Sequence, residues 1–171
     1  MLLHTPCCTL RPFHPADAPS VARHADDRGI WRNLRDRFPH PYTLADAEAF
    51  IAHVADARPV THFAIDVAGD AVGSVALRLG TDIERRSAEI GYWLGASYRG
   101  RGIAVAAVVA ATEYAFGTLD LVRVFAVPFV HNVASVRVLE RAGYVREGTM
   151  RRSAVKDGVV LDQHLYAVVR D

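Results

Sequence analysis

A short turn rich in glycine and arginine stands directly in front of an apolar run and is the clearest candidate for binding chemistry. The turn contains Arg99, Gly100, Arg101 and Gly102, and the apolar run begins at Ile103. The first turn of a helix has free backbone N–H groups and a positive dipole, which together favour an anion. Glycines let the backbone approach that anion closely, and the arginines add charge. The turn therefore predicts a phosphate or pyrophosphate site, with a solvated helix entry as the alternative.

A second polar group marks the start of another predicted helix. Asn132 is placed to cap this helix, and Ser135 follows within its first turn. A capping side chain accepts hydrogen bonds from first-turn N–H groups, so the two residues are expected to lie close together. Leu139 falls on the core side, and Gly143 suits the C-terminal turn. Taken alone, Asn132 is a structural cap and Ser135 an ordinary first-turn residue.

The sequence lacks the motifs of several other kinds of site. The P-loop sequence GxxxxGK and the dinucleotide-binding sequence GxGxxG are both missing. The eight histidines have no metal-ligand spacing, so no metal site is predicted. Cys7 and Cys8 are adjacent and cannot form a disulfide that links distant parts of the chain. We therefore predict that both are small buried thiols in a reducing compartment.

Length and charge point to a single domain that spans residues 1–171. A net charge of +1 gives no reason to expect nucleic acid or an acidic membrane as the partner. The longest apolar run, Ile103–Ala111, is about half of what a membrane span needs. The first eight residues lack the basic and apolar regions of a signal peptide, so we expect a cytoplasmic protein.

Hydrophobic periodicity and turn residues predict the elements that position these groups. The predicted strands cover residues 8–13, 62–67, 71–79, 88–95, 122–127, 144–152 and 159–169. The predicted helices cover residues 16–26, 29–36, 43–57, 103–116 and 132–142. Hairpins imply antiparallel neighbours, whereas the later strand–helix–strand crossovers imply parallel ones. These elements predict an α+β fold with a mixed central sheet of about seven strands and helices on both faces.

In this order and at this separation, the two polar segments resemble the GCN5-related N-acetyltransferase (GNAT) family, and more closely its RimJ/RimL-type branch. The family's acetyl-CoA signature, Gln/Arg-x-x-Gly-x-Gly/Ala, is spelled by residues 99–104. The branch's second signature, N-x-x-S-x-x-x-L-E-x-x-G-F/Y, is spelled by residues 132–144. The segments TLRPFHPADA (9–18) and PYTLADAEAFI (41–51) are also similar to this branch. The resemblance covers essentially the whole chain.

The resemblance implies acetyl-CoA as co-substrate and no metal. The glycine turn would hold its pyrophosphate, and the pantetheine arm would lie between the strands predicted at 88–95 and 122–127. Backbone groups of the first of these strands would pair with the arm, and the side chain of Trp93 is equally suited to the core or a pocket wall. The residues implied in cofactor binding are Tyr92, Trp93, Leu94, Arg99, Gly100, Arg101, Gly102, Ile103, Ala104, Asn132 and Ser135.

The resemblance also implies direct transfer of the acetyl group to a primary amine in a ternary complex. Many relatives protonate the departing thiolate with a tyrosine, which is Leu139 here, so the role is assigned to Ser135. Some relatives carry a glutamate as base where this chain has Ala154. Glu89 is therefore the candidate base, unless it merely pairs with an arginine such as Arg85 or Arg86, or the pocket favours the neutral amine and needs no base.

The acceptor amine is either a protein N-terminus or a small molecule. An open groove would suit the first and a closed acidic pocket the second. The loop residues expected at the acceptor site are Asn33, Arg35, Asp36, Phe38 and Tyr42, with a self-packed aromatic loop as the alternative. Two other functions stay open, a non-catalytic CoA-binding sensor and a nucleotide-phosphate binder. Both a monomer and a homodimer are consistent with the resemblance.

Overall fold

The central element of the fold is one sheet that mixes antiparallel and parallel neighbours. The computed structural model describes residues 1–170. The strands are β1 Leu3–His4, β2 Thr9–Arg11, β3 His62–Val67, β4 Asp70–Leu79, β5 Ser87–Leu94, β6 Arg123–Ala126, β7 Val145–Lys156 and β8 Val159–Val169. The helices are α1 Ala18–Ala25, α2 Arg28–Trp31, α3 Leu44–Val54, α4 Ile103–Thr118 and α5 Val133–Arg141, with short 3-10 turns at Pro15–Asp17, Asp82–Glu84 and Ala96–Tyr98.

The strand order is β1-β2-β3-β4-β5-β6-β8-β7, and of these neighbours β5 and β6 alone run parallel. The prediction of a mixed sheet is confirmed. The sheet has eight strands rather than about seven because β1 adds to its edge, with Leu3 opposite Leu10. A strand of two residues is too short to show an alternating pattern, so β1 could not be predicted from periodicity.

The helix predicted over residues 29–36 is wrong in its length. The observed helix α2 ends at Trp31, and the chain turns irregularly until Pro39. Side chains from this stretch bond to distant elements, as Asp36 does to Lys156, and these tertiary contacts outweigh the weak local preference for helix. By contrast, α3 begins as predicted after Thr43, whose hydroxyl accepts from the backbone N–H of Asp46 at 3.2 Å.

Each face of the sheet is covered by its own pair of long helices. Phe63 and Ile65 point to the face that packs against α4 and α5, whereas Ala64, between them, points to α1 and α3. This alternation is the period of two expected for a strand buried on both sides. Leu139 of α5 is fully buried on the first face, as predicted.

The two cysteines differ in burial, which corrects the expectation that both are buried. Cys8 is buried and hydrogen-bonded to Thr5, whereas Cys7 is exposed. Cys7 lies in the turn between β1 and β2, whereas Cys8 closes that turn through its hydrogen bonds to Thr5 and directly precedes β2. Within residues 1–170, no helix has both the length and the apolar character that a membrane crossing requires.

Arg11 fixes the start of the chain to the sheet, and we predict that Arg11→Met lowers the free energy of unfolding by about 2 kcal/mol. Its guanidinium donates to Asp17 at 2.7 and 2.8 Å and to Asp66 at 2.7 Å. Burial raises the pKa of Asp17, but the hydrogen bonds from Arg11 and from the backbone N–H of His14, with the charge of Arg11, together outweigh it and hold that pKa below its usual value. A carboxyl with a lowered pKa stabilises the fold above its unfolded pKa, about 4, and this contribution is lost as the pH falls.

Urea unfolding at pH 7 and at low pH measures both effects. The variant should be less stable at pH 7 and lose less stability on acidification than the wild type. Arg86→Met is the control, because the Arg86–Asp120 pair is largely exposed and its loss is worth about 0.5 kcal/mol. Equal destabilisation by both variants would contradict the assignment.

Candidate active site

The strands β5 and β6 separate part-way along their length and leave a gap in the middle of the sheet. They pair in parallel only where Ser87–Glu89 lies beside Arg123–Phe125. Beyond this point β6 ends and is paired with β8 alone. β5 runs on to Leu94, and over this part β4 is its only strand neighbour. The gap lies between the two strands predicted to hold the pantetheine arm.

The register of β5 shows which main-chain groups face this gap. Ser74 lies opposite Trp93, and the backbone N–H of Gly95 donates to Val72 at 2.8 Å. Because hydrogen-bonded and non-hydrogen-bonded pairs alternate in an antiparallel ladder, the main chain of Trp93 is directed to β4. The main-chain groups of Tyr92 and Leu94 are directed to the gap. Of the three residues predicted to pair with the pantetheine, these two are therefore placed to do so.

The glycine turn lies at the mouth of the gap and leads into α4. Gly100 and Gly102 have φ values of +74° and +77°, in the left-handed region that favours glycine. Gly102 precedes Ile103 as the N-cap, and no side chain caps the helix there. The first-turn N–H groups of α4, which include Ile103 and Ala104, are thus free to meet an anion.

The two arginines of this turn differ in their contacts. Arg99 is held by the protein: it donates to Asp27 at 3.0 Å and to the carbonyl oxygen of Leu94 at 3.3 Å. The guanidinium of Arg101 lies over the ring of Tyr98, 5.5 Å from its centre, and is exposed. The guanidinium of Arg101 is therefore available to bind an anionic ligand, whereas Arg99 holds the turn in place through its hydrogen bonds to the protein.

Ser135 lies across the gap from β5 and is bonded to it by a tyrosine. The hydroxyls of Tyr92 and Ser135 are 2.7 Å apart, and the phenol also lies 3.2 Å from the carbonyl oxygen of Ser135. The side-chain oxygen of Asn132 accepts from the backbone N–H of Ser135 at 3.2 Å, as the cap predicted. Burial raises the pKa of Tyr92, so its phenol stays protonated and available as a hydrogen-bond donor.

The side chain of Tyr92 is a functional candidate that the sequence analysis missed. It was named only for its main chain. The alternation of β5 contained the necessary signal: Ile90 and Leu94 point to the face of α4 and α5, so Tyr92, between them, must point there too.

Glu89 lies on the opposite face of the sheet, where two arginines share its carboxylate. Arg35 donates to both carboxylate oxygens, at 2.7 and 3.0 Å, and Arg78 donates to Oε2 from the neighbouring strand. The expected partners, Arg85 and Arg86, do not contact it; Arg86 instead binds Asp120. A carboxylate offers about four acceptor sites, so these three hydrogen bonds leave one site free, on Oε1.

The loop residues predicted at the acceptor site divide into two groups. The polar ones reach separate elements: Asn33 bonds to His131 at 3.0 Å, Arg35 to Glu89, and Asp36 to Lys156 at 3.0 Å. The aromatic ones, Phe38 and Tyr42, pack together with their ring centres 4.8 Å apart. The ring centres of Phe38 and Trp93 are 6.1 Å apart. Arg35 thus joins this loop to β5 beside the gap, Asn33 and Asp36 join it to the start of α5 and to the β7–β8 hairpin, and the aromatic residues pack beside Trp93 of β5.

A cavity of about 550 Å³ lies between α2, the start of α5 and the β7–β8 hairpin. It borders the predicted acceptor loop, although the five predicted residues are not part of its lining. The lining residues are Arg28, Gly29, Trp31, Arg32, His131, Lys156, Asp157, Val159 and Leu161. Sequence reasoning missed them because they come from three distant segments and form no motif. Within residues 1–170, no group of three or more His, Cys, Asp or Glu side chains is arranged to hold a metal ion.

Comparison with known proteins decides the family. Residues 8–145 match the family described as Acetyltransferase (GNAT) domain, a segment that includes the glycine turn, the gap and the cap of α5. This chain belongs to the GNAT acetyltransferase family. Its GNAT relatives include RimJ/RimL-type proteins, as the second signature implied.

Two sequence relatives illustrate the range within GNAT. The chain is 36% identical over 110 residues to the probable N-acetyltransferase YjcK of Bacillus subtilis, which is 63% of this chain and 61% of that protein. It is 33% identical over 86 residues to the ribosomal-protein-serine acetyltransferase of Escherichia coli, 50% of this chain and 48% of that protein. The aligned segments thus span about half to three fifths of these two relatives.

Solved GNAT structures share the fold over nearly the whole chain. The RimJ of Mycobacterium smegmatis, solved in complex with CoA-disulfide, has a TM-score of 0.84 and 28% identity, over 95% of this chain and 81% of that one. A GNAT acetyltransferase from Bacillus anthracis has a TM-score of 0.86 at 23% identity, over 99% and 98% of the two chains. The eight-stranded sheet is therefore the GNAT fold.

Proposed function

We propose that this GNAT protein is an N-acetyltransferase that moves the acetyl group of acetyl-CoA directly to a primary amine in a ternary complex. The observation that carries the proposal is that one group able to donate a proton and one able to accept a proton lie beside the same gap, on opposite faces of the sheet. Ser135, with Tyr92, lies on the face of α4 and α5, and Glu89 lies on the other. Such a gap can receive a thioester from one side and an amine from the other.

The residues around the gap fit the co-substrate. The uncapped N-terminus of α4 and the exposed guanidinium of Arg101 suit a pyrophosphate. The main-chain groups of Tyr92 and the backbone N–H of Leu94 face the gap and suit the amide groups of a pantetheine arm, which would bind as an added strand; the carbonyl oxygen of Leu94 already accepts from Arg99. A backbone N–H aimed into the gap would also polarise the thioester carbonyl. The CoA-disulfide bound to M. smegmatis RimJ, which shares this fold, supports the same ligand class.

Acetyl-CoA supplies an activated acetyl group. In the proposed reaction, the amine nitrogen forms a bond to the thioester carbon, and the carbon–sulfur bond breaks. The amine loses a proton to Glu89, directly or through water. The departing sulfur gains a proton through Ser135, so the products are the amide and the thiol of CoA. Ser135 regains a proton from solvent while Glu89 releases to solvent the proton it took, so both side chains return to their starting states. No acyl-enzyme is formed, and Cys7 and Cys8 have no part in the transfer.

Tyr92 completes the donor side of this mechanism. Its phenol stays protonated and can donate to the Ser135 oxygen, which leaves the serine hydrogen free to point at sulfur. The pair thus stands in for the tyrosine that many relatives carry at the position of Leu139. Leu139 itself is fully buried and cannot reach the gap.

The first experiment is a calorimetric titration with acetyl-CoA, with ATP and NAD as controls, followed by an assay of amine-dependent CoA release. The proposal expects selective binding near one molecule per chain and turnover with at least one amine. One relative is named a ribosomal-protein-serine acetyltransferase, so the amine panel includes protein N-termini beside small amines. Binding without turnover on any amine would favour a CoA sensor, and competition by ATP or NAD a nucleotide-phosphate binder.

Gly102→Asp tests the glycine turn, and we predict at least a tenfold loss of acetyl-CoA affinity. The substitution places a negative charge beside the pyrophosphate and a side chain at a φ of +77°, where the strain alone costs about 1–2 kcal/mol. Calorimetry measures the affinity, and thermal unfolding measures the strain.

Gly69→Asp is the matched control for this prediction. Gly69 has a φ of +87° in the β3–β4 turn, far along the chain from the glycine turn, and an added Cβ there meets no atom within 4 Å. This variant should show similar strain and unchanged affinity. If Gly102→Asp binds acetyl-CoA as tightly as Gly69→Asp, the pyrophosphate assignment is wrong.

A further inference from the structure

The cavity beside α2 borders the gap and is the natural entrance for the acceptor. His131, on its wall, directly precedes Asn132, whose side chain positions Ser135. On the other side, the loop from Asn33 to Asp36 joins the cavity wall to Glu89 through Arg35. An inference about this cavity rests on the proposed function, since it concerns the acceptor of that same reaction.

The charged groups that line the cavity are mostly positive. Three cationic side chains, Arg28, Arg32 and Lys156, face one carboxylate, Asp157. A simple amine, which is itself a cation, would be repelled by this wall. The acidic pocket expected for a small amine is therefore not what the fold provides. The excess charge instead calls for an anionic group on the ligand.

Arg28 and Arg32 are exposed and have no acidic partner. Two other arginines close by are paired, Arg35 with Glu89 and Arg99 with Asp27, whereas Arg37, among the described residues, also has no acidic partner. Among residues 1–170, no carboxylate lies within 4.0 Å of the guanidinium of Arg28 or Arg32, and neither guanidinium donates a hydrogen bond to the protein. Two unpaired guanidiniums, four residues apart on one wall, form a fork for a carboxylate or phosphate.

Two further observations show that the positive charge reaches into the cavity. The Lys156 ammonium lies 4.4 Å from the ring centre of Trp31, and its side chain is only 4% exposed, whereas that of its partner Asp36 is 80% exposed. A buried ammonium whose counter-ion lies in solvent is only partly neutralised. Burial and the charge of Arg32 both lower the pKa of His131, so the imidazole is neutral at pH 7.

We infer that the acceptor is a small molecule that carries an anionic group close to its amine, and that Arg28 and Arg32 bind this group. A volume of about 550 Å³ lies within the usual range of small-molecule pockets. A free amino acid, bound through its carboxylate, and an amino compound with a phosphate both have the required chemistry. The aromatic face of Trp31 and the side chains of Val159 and Leu161 would contact the apolar part of such a molecule.

Matched pairs of amines test the inference, because the members of each pair differ only in the anion. The pairs are phenylalanine with phenylalaninamide, O-phosphoethanolamine with ethanolamine, and glucosamine 6-phosphate with glucosamine. The wild type should use the anionic member of at least one pair tenfold or more better, as measured by kcat/KM for CoA release. A carboxylate pair and a phosphate pair distinguish the two anion classes.

Arg28→Gln and Arg32→Gln should each reduce kcat/KM for the preferred anionic amine about tenfold or more, since each removes a charge-assisted hydrogen bond. The neutral member of the pair should change by less than about twofold, and Arg86→Gln, whose side chain lies outside the cavity, should leave both unchanged. The affinity of each variant for CoA is measured in parallel. If the two variants lose CoA affinity rather than preference among amines, these arginines belong to the cofactor and the inference is overturned.

Direct binding separates this inference from the proposed function. Each amine is titrated calorimetrically into CoA-loaded protein, a measurement that needs no turnover. Anion-dependent binding that Arg28→Gln or Arg32→Gln abolishes would support the inference even if no amine is acetylated, in which case the proposed function fails by itself. Equal binding of charged and neutral members, or a preference for peptides over every small amine, would overturn the inference and leave the proposed function standing.

Discussion

Ser135→Ala is expected to reduce kcat about 100-fold while the affinity for acetyl-CoA changes by less than about threefold. The hydroxyl lost is the proposed proton donor to the departing sulfur, and this proton moves only in the transition state. The backbone of α5 should be undisturbed, because the Asn132 cap bonds to the N–H of Ser135 and not to its side chain. Steady-state CoA release with an excess of amine gives kcat, and calorimetry gives the affinity.

Tyr92→Phe extends this prediction to the group behind the serine. The ring remains in place and only the hydroxyl 2.7 Å from Ser135 is lost, so we expect a decrease in kcat of about tenfold. Tyr144→Phe is the control, because its hydroxyl forms a buried hydrogen bond of the same length with Thr112. Both tyrosine variants should lose about 1 kcal/mol of stability, but only Tyr92→Phe should lose turnover. Equal losses of turnover and cofactor affinity in Ser135→Ala would make Ser135 a binding residue.

Glu89→Gln is the second large effect, with an expected loss of about 100-fold or more in kcat at neutral pH. The amide keeps the size of the side chain but cannot accept the proton that the amine must lose. This loss should shrink as the pH rises toward the pKa of the amine itself, about 10 for a typical alkylamine, because neutral amine is then supplied without a base. A pH profile of kcat for both proteins measures the convergence.

Arg35→Gln distinguishes a base from a structural carboxylate. This variant removes the ion pair with Glu89 and leaves the carboxylate in place, so a purely structural role predicts equal losses in Arg35→Gln and Glu89→Gln. If Glu89 is the base, its own variant should be the more severe and the only one that high pH rescues. A constant loss at every pH in Glu89→Gln would count against Glu89 as the base.

The parts of the fold that carry strong local signals could be predicted from the sequence. The glycine turn, the cap at Asn132 and the capping box at Thr43 each depend on a few neighbouring residues, and each lies where the sequence indicated. The strand alternation likewise placed β3 to β6 nearly to the residue. Local conformational rules suffice there because packing and propensity agree.

The acceptor side could not be predicted in the same way. The loop around Arg35 has neither periodicity nor a cap, and its conformation depends on partners 54 and 120 positions away along the chain. The cavity combines α2 with the β7–β8 hairpin, and in the sequence Lys156 belongs to the turn of that hairpin. Contacts of this kind exist only after the sheet has formed. The sequence therefore offered arginine pairing only as an alternative to Glu89 as the base, and the arginines it named, Arg85 and Arg86, are not the ones that pair with Glu89.

The placement of Ser135 and Glu89 on opposite faces of one sheet has a practical consequence. Acetyl-CoA and the acceptor would reach the gap from opposite faces of the sheet, so a molecule bound on one face does not block the other. A protein captured on a resin through immobilised CoA would therefore keep its acceptor side open to solution. The same column that purifies the enzyme could then be used to retain its acceptors, since each amine would reach the gap while the protein stays bound.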